Sequence, residues 1–199
     1  MKKVFCLFCL MLPFIVKGVD LKYIRVEEPD WIGEGVIVID SVTTIPLEKS
    51  IADVRTKDQF LGPTKKLYVK GRYSSVRMPE GTIQIIIKVE NNNIDPMSVV
   101  RIFKFSGRRN RDAIISRLND LTGTVSYNKF KKVDFSAKRY GESSYLITIE
   151  NLEKGEYGIT VGDPDVNKTL VVSAFGVDEN ENGTKSKKYE DDQDDIYGD

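Results

Sequence analysis

Between Leu21 and Val177, apolar and polar residues alternate in short runs rich in β-branched and aromatic side chains, each closed by turn residues. A period of two with such punctuation predicts strands. The expected strands cover residues 21–26, 36–40, 66–70, 74–78, 82–90, 99–105, 125–128, 132–137, 144–150, 157–161 and 169–175. Within 82–90, Ile83, Ile85, Ile87 and Val89 face one way while Gln84, Ile86 and Lys88 face the other. That is a strand with one side in a core and the other partly wet. Residues 41–62 lack clear alternation and read as a long loop. In residues 112–121 the apolar positions Ile114, Ile115, Leu118 and Leu121 fit one helical face, but a strand followed by a turn is the preferred reading.

Turn signals at 91–96, 107–110, 141–143, 153–155 and 162–165 recur at a spacing that favours a sandwich or barrel over βαβ units. One corner can be argued residue by residue. Leu152, Gly155 and Tyr157 match the L-x-x-G-x-Y pattern of a tyrosine corner, in which the ring packs at the sheet crossing and its hydroxyl bonds backbone a few residues upstream. An ordinary hairpin with a buried Tyr differs from this in where the hydroxyl goes.

The ends of the chain have a different character. Lys2-Lys3, an apolar run from Val4 to Val16 and a small residue at Gly18 describe a secretory signal peptide over residues 1–18. The run is shorter than the roughly 20 apolar residues that a membrane helix needs, so no transmembrane span is expected after cleavage. The last 22 residues carry nine acids against three lysines and are expected to form a disordered acidic tail over residues 179–199. What lies between is weakly positive and has no basic stripe, which argues against a nucleic-acid partner. The division expected is an N-terminal β extension or small β unit at 19–80 and a β-sandwich domain at 81–178.

Composition closes several chemistries. Histidine is absent, and both cysteines, Cys6 and Cys9, lie in the leader. A mature chain without thiols or imidazoles has no disulfide, no Cys nucleophile, no Ser-His-Asp triad and no Cys or His metal ligand. Paired carboxylates remain available for a glycan-acting enzyme, with Asp40, Glu48, Asp53, Asp134 and Glu142 as candidates. Ser74-Ser75 and Ser143-Ser144 lie near cations but belong to no S-x-x-K or G-x-S-x-G motif. Asp178, Asn180, Asn182 and Gly183 open like an EF-hand loop, yet position 12 is Tyr189 and Lys185 stands where an apolar residue belongs. These three oxygen donors are weak metal candidates, and no cofactor is expected.

Arg72, Tyr73, Arg77 and Arg101 form a candidate binding face, set against the plain alternative of long cations on wet strand faces. Trp31 and the tyrosines Tyr23, Tyr68, Tyr73, Tyr127 and Tyr140 are candidates for stacking sugar rings, although aromatics on strands more often pack in cores.

Trp31-Ile-Gly33, Gly71-Arg-Tyr-Ser-Ser-Val-Arg77, Asp95-Pro96 ahead of Val100-Arg-Ile-Phe103, Lys138-Arg-Tyr-Gly-Glu-Ser-Ser-Tyr145, Gly155-Glu-Tyr-Gly158 and Phe175-Gly-Val177 resemble a group of uncharacterised exported immunoglobulin-like β-sandwich proteins of Bacteroides-like bacteria. The resemblance implies fold and export, and it carries over no catalytic residue. The expectation is therefore an all-β, immunoglobulin-like antiparallel sandwich in the periplasm or on the cell surface. It would act as a non-enzymatic structural or interaction module for an envelope protein or glycan. The alternatives are a carboxylate-based glycan-acting enzyme and a calcium-dependent adhesion module.

Overall fold

The computed structural model describes residues 24–58, 60, 62–107, 109–127, 129–162 and 169–179. The first strands are β1 (Gly35–Val38), β2 (Thr44–Pro46), β3 (Glu48–Lys57), β4 (Thr64–Val69), β5 (Arg77–Pro79) and β6 (Gly81–Lys88). A one-turn helix, α1 (Pro96–Val99), is capped by the Asp95 carboxylate, which accepts from the Met97 N–H at 2.8 Å, and Pro96 suits its first turn. Then come β7 (Val100–Lys104), β8 (Arg111–Asn119), β9 (Thr124–Ser126), β10 (Lys131–Lys132), β11 (Ser136–Tyr140), β12 (Ser144–Leu152), β13 (Gly155–Val161) and β14 (Thr169–Asp178).

These strands make two sheets facing each other as a sandwich. The smaller runs β11-β12-β6-β1-β2 and the larger β10-β7-β13-β14-β3-β4-β8-β9, with β5 parallel to β14 and the other pairs antiparallel. Both sheets interleave strands from either side of residue 80, since β1 pairs β6, and β3 lies between β14 and β4. The division expected at residue 80 does not follow this pairing.

The larger sheet contributes to two cores, one on each face. Against the smaller sheet, Val100, Ile102, Ile159, Phe175 and Val177 meet Ile83, Ile85, Ile87, Ile147 and Ile149. On the opposite face the sheet curls toward itself: Ser106 bridges Asp112, and the Lys129 N–H donates to the Ile115 carbonyl at 2.9 Å. Inside the curl, Phe103, Phe105 and Phe130 pack with Ala52, Leu67, Ala113, Ile115, Val172 and Ala174. Phe103 stacks on Phe130 at 4.6 Å between centroids and meets Phe105 edge-on at 5.2 Å. Gly158 provides the room, because a Cβ there would lie 2.8 Å from Phe105 and 2.9 Å from Phe103.

The outer face of the smaller sheet is covered by the start of the described chain. Ile24 and Val26 pack on Val36, Val38, Ile86, Leu146 and Tyr140. The Val26 N–H donates to the Tyr140 hydroxyl at 3.1 Å, and that hydroxyl donates to the Val26 carbonyl. Glu28 accepts from the Glu142 N–H at 2.5 Å, the Ser143 N–H at 3.1 Å and the Ser144 hydroxyl at 2.5 Å. This explains why Ile86, on the nominally wet side of its strand, is buried.

Four expectations change. Residues 24–26, expected to close a strand, carry none and instead lie over the smaller sheet. Residues 41–62, read as a loop, contain β2 and β3. The strand was hidden because β3 buries fully only Ala52 and otherwise lines an open wall with charged side chains. Residues 132–137, read as one strand, break at Val133–Phe135 as the chain crosses from the larger sheet to the smaller. Of residues 74–78, only Arg77 and Met78 lie in a strand; the rest is a loop held by side chains. The preferred strand and turn in 112–121 correspond to β8 and the turn after it.

Candidate functional site

The loop at residues 70–76, between β4 and β5, turns at Gly71, whose φ of +89° lies in the left-handed region that favours glycine. The Gly71 carbonyl accepts from the Arg111 backbone N–H at 3.1 Å and from its Nε at 3.3 Å. Arg111 Nη2 donates to the Lys70 carbonyl at 3.0 Å and to Glu48 Oε1 at 2.5 Å. Arg111 is 3% exposed, and its guanidinium lies 5.8 Å from the Phe105 centroid. The other side of the loop is held equally firmly. The Ser75 N–H donates to Glu48 Oε2 and the Ser74 N–H to Glu156 Oε2, both at 2.8 Å, while the Gly176 N–H donates to the Val76 carbonyl at 2.8 Å.

Partial burial pushes the Glu48 carboxyl up, but the bonds from Arg111, Ser75, Ser74 and Ser50 outweigh it and bring the carboxyl down to about 2. Glu28 reaches about 2 in the same way, burial being outweighed by Ser144, Glu142, Ser143 and Lys88. Both stay ionised at neutral pH and hold backbone in place, a poor state for a general acid.

Of the expected binding face, Arg72, Tyr73 and Arg77 come together. The two guanidinium carbons lie 5.0 and 5.9 Å from the Tyr73 centroid. Arg72 and Tyr73 are exposed, whereas Arg77 turns inward. It donates to Glu156 and, bidentately, to Asp178 at 2.5 and 3.1 Å. The Asp178 bonds, with Glu156, raise the guanidinium pKa further against the opposing effect of burial, and Arg77 holds Asp178 below the usual carboxylate range. Arg101 stands apart. Its Cα partner is Thr160, four residues along β13 from Glu156, and its Nη1 donates to the Met97 carbonyl at 3.0 Å.

The corner lies at the same end as the loop. Leu152 and Tyr157 are buried, and the Tyr157 hydroxyl donates to the Glu153 carbonyl, four residues upstream, at 2.6 Å. Burial first, then the charges of Glu153 and Glu80, push this phenol up to about 12. At Gly155 a Cβ would fall 2.3 Å from Cε of Lys104, whose ammonium lies 5.5 Å from the Tyr157 centroid. Beside the corner opens a cleft of about 260 Å³, lined by Lys131, Lys132, Asp134, Glu150, Glu153 and Tyr157 among others. A second, of about 320 Å³, lies by α1 between Ile94, Asp95, Arg139 and Tyr145.

The remaining candidates are dispersed. Asp40 accepts from the Val42 and Thr43 N–H groups, which with Val42 as the main cause hold it below its ordinary value. Asp53 pairs with Arg55 on the surface, and Asp134 lines the corner cleft. Glu142 enters through its backbone, which donates to Glu28. The Ser74 hydroxyl donates to the Ala174 carbonyl and that of Ser144 to Glu28, so both serve the scaffold. Tyr68 is covered by Arg55 and Lys57, Tyr140 is tied to Val26, and Tyr23 lies outside the described residues. Asn180 and Asn182, like the leader and the acidic tail, also lie outside them. Among the described residues no cluster of three Asp, Glu, Cys or His side chains could hold a metal, and no helix is long and apolar enough to cross a membrane.

No family model, curated protein or solved structure matches this chain.

Proposed function

We propose that this chain is a non-enzymatic interaction module of the bacterial envelope, exported by its leader, that presents the loop at residues 70–76 to a protein or glycan partner. The observation that carries this reading is the exposed Arg72–Tyr73 pair on a loop whose backbone is already fixed by Glu48, Glu156 and Arg111. A surface ordered in advance does not lose that entropy on binding, and Arg and Tyr are the residue types that anchor interfaces. The leader-like N-terminus, the absence of His and the leader-bound cysteines support export without thiol or imidazole chemistry. The resemblance to exported immunoglobulin-like sandwiches agrees with this, as does the hydroxyl bond at the tyrosine corner.

The test is recovery from envelope extract with immobilised protein, wild type against Tyr73→Ala. A partner retained by the wild type and lost by the variant, at unchanged Tm, is the expected result. Identical recovery by both removes the loop from the reading.

One observation favours a second reading, a carboxylate-based glycan-acting enzyme: the corner cleft gathers Asp134, Glu150 and Glu153. Hydrolysis of a glycoside panel that disappears in Glu150→Gln and Glu153→Gln would establish it in place of the first.

A further inference from the structure

Trp31 is the single tryptophan of the chain, and its side chain stands in the open, 67% exposed. Its turn is not loose. The Glu34 N–H donates to the Trp31 carbonyl at 3.0 Å, the Trp31 N–H to Glu34 Oε2 at 3.3 Å and the Gly33 N–H to the Lys88 carbonyl at 2.9 Å. The Gly33 carbonyl accepts from the buried Ser173 hydroxyl at 2.6 Å, and Glu34 pairs with Lys49 at 2.5 Å. The turn thus bridges β6 of one sheet and β14 and β3 of the other. A Cβ at Gly33 would lie 3.5 Å from Val171, whose cross-strand partner Ile51 is 70% exposed, and Lys49 is two residues from Ile51 on the same face. The Glu34–Lys49 ion pair ties the turn to β3, and the exposed Trp31 and Ile32 of the turn and Ile51 of β3 make a small ledge about that pair.

We propose that this ledge is a glycan-binding site in which the Trp31 indole stacks on a neutral pyranose ring and the Glu34–Lys49 pair bonds its hydroxyls. One exposed indole beside a carboxylate–ammonium pair matches the chemistry of a single sugar ring, which has an apolar face edged by hydroxyls. A flanking pair of zero net charge offers no attraction to anionic lipid headgroups or acidic sugars, but it supplies the acceptor and donors that hydroxyl groups need. The indole is held on a fixed turn, so stacking does not require ordering the backbone. The proposal rests on the interaction-module reading and names the ligand class at a site separate from the Arg72–Tyr73 loop.

The test is titration of the purified chain with a soluble β-glucan, an α-mannan and a xylan, followed by Trp31 emission and by retention on the immobilised polysaccharide. A saturable emission change with at least one of them is expected. Trp31→Ala should weaken retention about tenfold, with Ile51→Ala smaller in effect, both at unchanged Tm. No saturable change with any of the three, or retention unaltered by Trp31→Ala, overturns the glycan site. If retention instead depends on Tyr73, the glycan site fails while the module reading stands. Release of reducing ends that disappears in Glu150→Gln overturns the module reading itself.

Discussion

The two faces of the larger sheet are packed in different ways. Against the smaller sheet it buries isoleucines and valines whose contacts have no directional requirement and include no charged group. Inside its own curl it combines three phenylalanines with alanines and a glycine, and near Phe105 stands a buried arginine bound to Glu48. The first arrangement tolerates adjustment, since apolar side chains can repack. The second is keyed, because a charge out of water is stable only with its partners in place. The same key reaches out to fix the backbone of residues 70–76, so the curl positions that loop while the sandwich core holds the fold.

The sharpest way to break this contrast is Arg111→Ala. It leaves the Glu48 anion without its main partner and removes two side-chain bonds to the loop, and a loss of about 3–5 kcal/mol in urea unfolding is expected. Ile147→Ala, fully buried in the sandwich core, should cost about 2–5 kcal/mol through lost burial and a cavity. Its effect on the loop should be negligible, so equal loss of loop order in both variants would erase the distinction. Gly158→Ala presses a methyl into Phe103 and Phe105 and should cost about 1–3 kcal/mol by differential scanning calorimetry. A neutral outcome would mean that the curl is as adaptable as the sandwich core.

Acid should reach the two regions differently. Carboxyls lowered in the folded state contribute stability above their ordinary range, and that contribution drains away as pH falls toward the folded value. Glu48, at about 2, should therefore loosen the loop as pH falls from the ordinary glutamate range toward that value. Glu28, also at about 2, should release residues 24–28 in the same window. Tm followed against pH in Glu48→Gln should begin lower and fall less steeply. The smallest effect belongs to Tyr157→Phe, which loses one hydroxyl bond and should cost about 1 kcal/mol by urea unfolding.

The sequence spoke most clearly where one face of a strand is dry. Ile83, Ile85 and Ile87 announce β6 because their neighbours contrast with them. The corner was legible because Leu152, Gly155 and Tyr157 are close in sequence and their spacing carries the geometry. β3 was not, because half of its positions on an open wall are charged, and Ala52 is too small to signal a core. The lock on the loop was invisible for another reason. Glu48 and Arg111 are 63 residues apart, and Arg77 and Glu156 are 79 apart. A lone charge at a strand position looks the same in sequence whether it is solvated or paired. Arg72, Tyr73 and Arg77 could be grouped from their proximity in the chain, while Arg101 shared only its residue type and lies elsewhere.

Amide hydrogen exchange of Ser74 and Ser75, compared between the wild type and Arg111→Met, tests most directly whether the curl holds the loop at residues 70–76. Protection of both amides in the wild type is predicted, with loss at Ser75, whose N–H donates to Glu48, in the variant, while Ser74, held by Glu156, and Ile85 and Ile147 in the sandwich core keep theirs. Loop amides that exchange freely in the wild type, or a Ser75 amide that stays protected without Arg111, would contradict the account.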